Sequence, residues 1–286
     1  MTLDLLVLAD DRTGALETAG ACADAGLTVV MTPFGTADVL PPHDCRVIDL
    51  GTRRLSADEA ARRAASVRID ATRHAHKIDS TLQGNWAAEI ASRALPTLLV
   101  PAFPSAGRTC VDGVVHVHGA AVGRPGDQLP DATVCDATSD RDLDRHAQTW
   151  LKTPDLLLAG TAGAIGAGAR ALGRTTDRRV PRARGRVLVV CGSRQPIALA
   201  QAAAIARHHD VVYTPVDPTG DVLVIIGGDT AAAVLGDRAM VVGGTIEPGV
   251  AWSHVANGTG PLVITKPGGF GDEQTLVRVL QAILHA

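Results

Sequence analysis

Short unbroken runs of Val, Leu and Ile recur along this chain, and longer Ala- and Leu-rich stretches at helical spacing fall between them. A strand written as a continuous aliphatic run is buried on both faces, as strands of a helix-covered parallel sheet are. The alternation therefore predicts an α/β fold of two domains, each a mainly parallel sheet flanked by helices. In the first half, strands are expected near 3–9, 27–32, 45–50, 97–101, 132–136 and 155–159, and helices near 13–25, 56–69, 84–94, 140–150 and 161–172. The second half restarts the pattern, with strands near 186–191, 210–214, 221–226, 239–242 and 261–265, and helices over 196–207, from 229, and over 272–285.

Between the halves, Gly173 to Arg186 is strongly basic, contains Pro181 and has no apolar periodicity. It reads as a linker over about 174–186, separating a domain at 1–174 from one at 185–286. The chain has 286 residues, enough for both, and its formal net charge of −3 gives no basic excess for a nucleic-acid partner. No run of about 18 apolar residues appears, so no membrane span is expected. The opening Met1–Asp10 lacks the basic start and long apolar stretch of a signal peptide, and reads as the first buried strand of a cytoplasmic protein. A homodimer is compatible with this composition. Cys22, Cys45, Cys110, Cys135 and Cys191 stand singly, without C-x-x-C spacing, and are expected as buried thiols rather than a disulfide framework or zinc site.

Two polar, glycine-punctuated segments break the aliphatic pattern where a strand hands over to a helix: Ala9-Asp10-Asp11-Arg12-Thr13-Gly14 and Lys77-Ile78-Asp79-Ser80-Thr81-Leu82-Gln83-Gly84. In open α/β sheets, ligands sit outside the carboxyl ends of strands. Paired aspartates there could hydrogen-bond sugar hydroxyls, hold Mg²⁺ through water or take a proton from an attacking hydroxyl. The bland alternative is that Asp11 or Thr13 does no more than cap the helix. Lys77 is a compact charge suited to a carboxylate or phosphate, although Lys77 and Asp79 could form an internal ion pair. The chain has three lysines, Lys77, Lys152 and Lys266, against many arginines, which raises interest in Lys77 and Lys266 within their polar segments. The Pro- and Gly-rich stretch from Pro101 to Gly113 is not helical in pattern; its Arg108 could clamp a carboxylate, or the stretch could be a rigid surface turn.

In the second half, Gly227-Gly228-Asp229-Thr230 falls at a strand-to-helix turn, where free N–H groups and the positive helix end suit a phosphate. Gly268, Gly269 and Gly271 would let a second loop approach a nucleotide closely. No G-x-x-x-x-G-K-[ST] occurs, which excludes a P-loop. Gly166 to Ala171 fits G-x-G-x-x-A, but inside an expected helix, which argues against a nicotinamide reductase. The pairs His74/His76 and His116/His118 lack a third ligand at metal-binding spacing, so no dedicated metal site is expected.

Together these segments resemble the four-carbon acid sugar kinase family, whose members phosphorylate acids such as erythronate, threonate or a 3-oxo-tetronate with ATP. The resemblance also takes in Thr52-Arg53, Asp136-Ala137 with Asp142-Leu143, Leu158 to Gly163, Gly192-Ser193 with Gln201, Pro248-Gly249 and Lys266 to Gly271, in the family's order. It implies Asp10, Asp11, Lys77 and Asp79 as catalytic residues, with Thr13, Arg53, Ser80, Thr81 and Arg108 on the sugar acid. It further implies ATP with Mg²⁺ held near Ser193, Gly227, Gly228, Asp229, Thr230, Lys266, Gly268 and Gly269. The chain departs from the family at Gln83, where arginine is usual, at Gln195 and Ala198, where serine and threonine are usual, and at Pro267, where serine is expected; its nucleotide domain is also short. The alternative reading is a degenerate member that binds a sugar acid or nucleotide without phosphoryl transfer.

Overall fold

The computed structural model describes residues 2–36, 39–177, 179–213 and 221–284. The first half runs β1 (Leu3–Ala9), α1 (Arg12–Asp24), β2 (Val29–Pro33), β3 (Cys45–Asp49), α2 (Ala57–Ser66), β4 (Ala71–Lys77), α3 (Trp86–Ala91) and β5 (Thr97–Val100). It continues with β6 (Arg108–Val111), β7 (Val114–Val117), β8 (Ala120–Gly123), β9 (Thr133–Val134), α4 (Asp140–Lys152), β10 (Leu157–Gly160) and α5 (Ala162–Ala171). The second half runs β11 (Val187–Cys191), α6 (Pro196–Ile205), β12 (Asp210–Val212), β13 (Val222–Ile226), α7 (Gly228–Leu235), β14 (Met240–Glu247), β15 (Val250–Val255), β16 (Leu262–Lys266) and α8 (Thr275–Leu284). The expected strand end at Thr214 and helix end at His285 lie outside the described residues.

The two mainly parallel segments meet edge to edge. Strands β2-β3-β1-β4-β10-β5-β9 are parallel throughout, and β12-β11-β13-β16 are parallel to one another. The antiparallel pair β14–β15 joins them, because β15 pairs with β16 and β14 pairs with β2. Among the described residues, thirteen strands thus share one sheet, and a separate three-stranded meander, β6-β7-β8, stands apart from it.

Local chemistry explains four of the helix starts. Asp11, Ser56, Ser139 and Thr161 each accept a backbone N–H of the first turn of α1, α2, α4 and α5, and Ser139 with Asp142 closes a capping box. Helix α2 stops at Ser66 and α3 at Ala91, both short of the expected ends. Ala94, with φ +50, shows the chain turning out of helical geometry just past α3.

Strand β4 has no aliphatic run to announce it, since Ala-Thr-Arg-His-Ala-His-Lys alternates polar groups between two parallel neighbours. The glycine-rich helix α5 packs tightly: a side chain at Gly166 would press on Ala21, and one at Gly168 on Leu158 and Trp150. Cys22, Cys45, Cys110 and Cys191 are buried and Cys135 is half-buried, all as free thiols. Among the described residues, no helix is long and apolar enough to cross a membrane.

Candidate functional site

The polar segments converge because their strands are neighbours. Asp10 and Asp11 follow β1, Lys77 ends β4, Thr161 follows β10, and Arg53 comes from the loop after β3, all at the carboxyl edge of one parallel sheet. Asp11, Arg53, Lys77 and Thr161 line a small cleft together with Thr13, Gly14, Glu17, Asp79, Ser80, Phe103 and Ala162, while Asp10 is fully buried. Pro267 and Phe270 from the second half close its other wall.

Arg53 is the hub of the acidic side. Its Nε donates to Asp10 Oδ2 at 2.7 Å and its Nη2 to Asp10 Oδ1 at 2.9 Å, a bidentate fork. The same Nη2 stands 3.2 Å from Asp11 Oδ1 and 3.4 Å from Asp79 Oδ2. Asp10 has no solvent exposure, and burial pushes its carboxyl up to about 6 against the pull of Arg53. Burial also disfavours a charged Asp79, but Lys77, Arg53 and two hydrogen bonds from Thr81 outweigh it and hold that carboxyl below its ordinary value. Asp11 both caps α1, accepting from Gly14 N–H at 3.0 Å, and accepts the Thr13 hydroxyl at 2.8 Å.

A second layer fixes this arrangement from below. Asp10's carbonyl accepts the N–H groups of Thr52 and Arg53, and the Thr52 hydroxyl donates to buried Glu89. Glu89 in turn meets His76 Nε2 at 2.8 Å. Gly84 sits so close that a side chain there would run into Asp10 Oδ2, and its φ of +91 disfavours one in any case. Gly84→Ala is therefore expected to cost about 2 kcal/mol or more and to loosen the Asp10–Arg53 fork. A urea midpoint indistinguishable from that of the unaltered protein would contradict this account of the turn.

Lys77 does not form the direct ion pair with Asp79 that the sequence left open. Its Nζ donates to the Ile78 carbonyl at 2.9 Å and has Glu17 Oε2 at 4.0 Å as its carboxylate partner. Glu17, on the buried face of α1, is 4% exposed. Burial pushes its carboxyl up to about 7, with Lys77 pulling it down and Asp11 and Asp79 pushing it further up. Arg108 is buried too, donates to the Ala106 carbonyl, and lays its guanidinium over the Phe270 ring at 4.4 Å. Phe270 also meets Phe103 at 6.5 Å between ring centroids.

Three loops of the second half lie side by side, after the adjacent strands β11, β13 and β16. A side chain at Gly192 would run into Thr230 Oγ1 and one at Gly268 into Ser193 Oγ, so Ser193, Thr230 and Gly268 form one compact cluster. Gly227, with φ +108, opens α7, and a Cβ on Gly228 would come 2.7 Å from Asp11 Oδ2 and 3.1 Å from Thr13 Oγ1. The start of α7 thus abuts the carboxylate side of the cleft. Asp229 pairs with Arg54 across the halves, and open space surrounds the Cβ position of Gly269.

Lys266 departs from the expected ligand role. Its side chain is fully buried, and its Nζ donates to the carbonyls of Pro267 at 2.6 Å and Phe270 at 2.8 Å, with Gly268 O at 3.5 Å. It shapes the glycine loop from inside. Burial pushes the ammonium down to about 8.

Sequence reasoning missed Glu17 and Glu89, and gave no individual site role to Thr52, His76, Phe103, Thr161 and Phe270, which lie in or beside the segments it singled out. For Glu17 a signal existed: a glutamate in the middle of the Ala- and Gly-rich stretch from Gly14 to Ala23 must have a reason to be there. Among the described residues, no group of three His, Cys, Asp or Glu side chains could hold a metal ion.

Residues 5–128 match a sugar-binding N-terminal domain family, and residues 210–276 match a nucleotide-binding C-terminal domain family. Curated relatives include a D-threonate kinase of Cupriavidus necator, 40% identical over 125 residues, which are 40% of this chain and 30% of that protein. A D-threonate kinase of Salmonella typhimurium is 32% identical over 134 residues, 41% of this chain and 30% of the relative. A 3-oxo-tetronate kinase of Methylobacterium radiotolerans is 34% identical over 134 residues, 41% of this chain and 31% of the relative. The matched stretch therefore spans under a third of each of these relatives. Among solved structures, Haemophilus influenzae protein HI1011 superposes with a TM-score of 0.71 at 18% identity, covering 98% of this chain and all of that one (100%). A Bordetella bronchiseptica domain of unknown function, a domain-swapped dimer with bound citrate, superposes with a TM-score of 0.54 at 22% identity over 99% of this chain and 98% of its own. These two likenesses concern the fold.

Proposed function

We propose, because this chain belongs to the four-carbon acid sugar kinase family, that it transfers the γ-phosphoryl group of ATP to a hydroxyl of a small sugar acid such as erythronate, threonate or a 3-oxo-tetronate. The observation that carries this reading is the meeting of two kinds of chemistry across one cleft. Carboxylates and a lysine of the first half face the helix start and glycine loops of the second. Residues 1–174 would hold the sugar acid and residues 185–286 the nucleotide.

In this reading Asp10, fixed by Arg53, supports Asp11 and Asp79, which orient the sugar hydroxyls together with Thr13, Ser80 and Thr81. Lys77 and Arg53, with Arg108 behind them, supply positive charge for the substrate carboxylate and the transferring phosphoryl group. The N–H groups of Gly228, Asp229 and Thr230 at the start of α7, with Ser193, Gly227, Gly268 and Gly269, suit the phosphates of ATP. Lys266 acts on ATP only through the loop it holds. Mg²⁺ brought in with ATP would neutralise phosphate charge, and Asp11 and Asp229, both beside Gly228 at the start of α7, are carboxylates that would suit it. Catalysis then rests mainly on positioning and on charge complementary to the transition state.

The test is ADP release from the purified protein with MgATP and a panel of erythronate, threonate and 3-oxo-tetronate stereoisomers. Turnover that depends on one member of the panel is expected, and Asp79→Asn should lower it at least about tenfold while leaving the fold intact. Sugar-acid binding without affinity for ATP or ADP would instead favour a binding protein that lacks phosphoryl transfer. The usual arginine replaced by Gln83 and the usual serine replaced by Pro267 make that the second reading.

A further inference from the structure

Among the described residues, Asp11, Asp79 and Glu17 face the cleft and Asp10 is buried beside Arg53; all of these but Glu17 are already engaged. Both oxygens of Asp10 are held by the Arg53 fork. Asp11 accepts from Gly14 N–H through Oδ1 and from the Thr13 hydroxyl through Oδ2. Asp79 Oδ1 accepts from the Thr81 N–H and hydroxyl, while its Oδ2 faces Arg53 Nη2 at 3.4 Å. Glu17 differs from all three. Its Oε2 stands 4.0 Å from Lys77 Nζ, and its Oε1 is fully buried with no hydrogen-bond partner among the described residues.

A buried carboxylate oxygen without a donor costs free energy, and native structures rarely keep one unless something else satisfies it. The missing partner must be a donor, and it must reach a cleft walled by Asp11, Asp79 and Lys77. A sugar hydroxyl meets that description, whereas the carboxylate of a sugar acid would be repelled at this spot. We propose that Glu17 is the proton acceptor for the attacking hydroxyl, an assignment that rests on the kinase reading above.

In the step itself, the substrate O–H bond breaks and its proton passes to Glu17 Oε1. The freed oxygen forms a bond to the γ-phosphorus, the bond from that phosphorus to the bridging oxygen breaks, and the electron pair leaves with ADP. Lys77 stays at the other carboxylate oxygen and keeps the protonated side chain oriented. The groups that face Glu17 are Lys77 at the end of β4, Asp11 at the start of α1, Asp79 in the loop after β4 and Arg108 on β6. Their summed influence, with burial, sets its titration close to neutrality, where a general base combines availability with proton affinity.

The experiment measures ADP release by the full chain from about pH 5.5 to about pH 9 for the unaltered protein, Glu17→Gln and Glu17→Asp, with binding of sugar acid and MgATP followed by calorimetry. The unaltered protein should gain kcat through an acid limb centred near 7. Glu17→Gln should lose about 10²- to 10⁴-fold in kcat and lose that limb, while both dissociation constants change less than about threefold. Glu17→Asp, one methylene shorter, should recover part of the rate together with the limb.

If Glu17→Gln keeps the rate and the same acid limb, the base lies elsewhere. A loss confined to sugar-acid affinity would likewise overturn the assignment, making Glu17 a binding group. Should Glu17→Gln fail to fold, an unaltered protein without the limb, or a Glu17→Asp variant without it, would be equally fatal. Silence of the unaltered protein on every acid would remove the kinase reading and this step with it, an outcome distinct from normal turnover in the variants.

Discussion

Arg53→Ala should leave the protein without measurable turnover and less stable by about 3–5 kcal/mol, the cost of stranding a buried charge. The reason is geometric. One guanidinium makes the bidentate fork to fully buried Asp10 and lies within 3.4 Å of Asp79 and closer still to Asp11. Truncation leaves Asp10 without a counter-charge, and a carboxyl that burial already pushes up to about 6 would then hold its proton through neutral pH. The folded state of the variant would bind a proton that the unfolded chain gives up near the ordinary carboxylate value. Its stability should therefore fall as pH rises from about 4 through neutrality.

Arg53→Lys restores charge but not the planar fork, and should recover part of the stability without the activity. Urea unfolding at several pH values, beside the ADP-release assay, reads both effects. A stability loss under about 1 kcal/mol would mean that Arg53 behaves as a surface ion pair and not as the keystone of the carboxylate cluster.

Strands such as β1, β5, β11, β13 and β16 were legible in the sequence because burial on both faces writes them as uninterrupted Leu, Val and Ile. The site segments after β1 and β4 were legible for the opposite reason, since clustered carboxylates, hydroxyls and lysine contradict an apolar pattern. Strand β4 was legible only as the strand that hands over to the Lys77 segment and not in its extent, because Arg73, His74, His76 and Lys77 occupy it and its burial comes from flanking strands that its own residues do not announce.

Long-range pairing was equally hidden. Nothing local in Val29–Pro33 or Met240–Glu247 says that β2 and β14 will join the two halves into one sheet. The opposition of Gly228 to Asp11, and of Phe270 to Arg108, depends on that joining. Glu17 stands outside the polar clusters, as a single carboxylate within a helix rich in Ala and Gly, and so nothing beside it in the sequence points to the cleft.

Lys266→Ala should be the most damaging change in the second half, costing about 3–5 kcal/mol through lost volume and stranded carbonyls together. The buried ammonium donates to the Pro267 and Phe270 carbonyls, and Gln201 Nε2 adds bonds to the carbonyls of Phe270 and Asp272. These bonds hold Phe270 where its ring meets Arg108 and Phe103 of the first half. Without Lys266, that wall of the cleft loosens, so the KM for the sugar acid should rise in any surviving folded protein. Lys266→Met keeps the volume but not the donors, and should fall between Ala and the unaltered protein.

The lysine also leaves a pH signature. Burial lowers its folded-state value from 10.5 to about 8, so the folded protein releases this proton before the unfolded chain does. Lys266 therefore contributes a stability that rises as pH climbs from about 8 towards 10.5, a gain that both variants should lack. Identical pH–stability slopes above pH 8 in the unaltered protein and in Lys266→Met would show that the buried ammonium is not the group that titrates there.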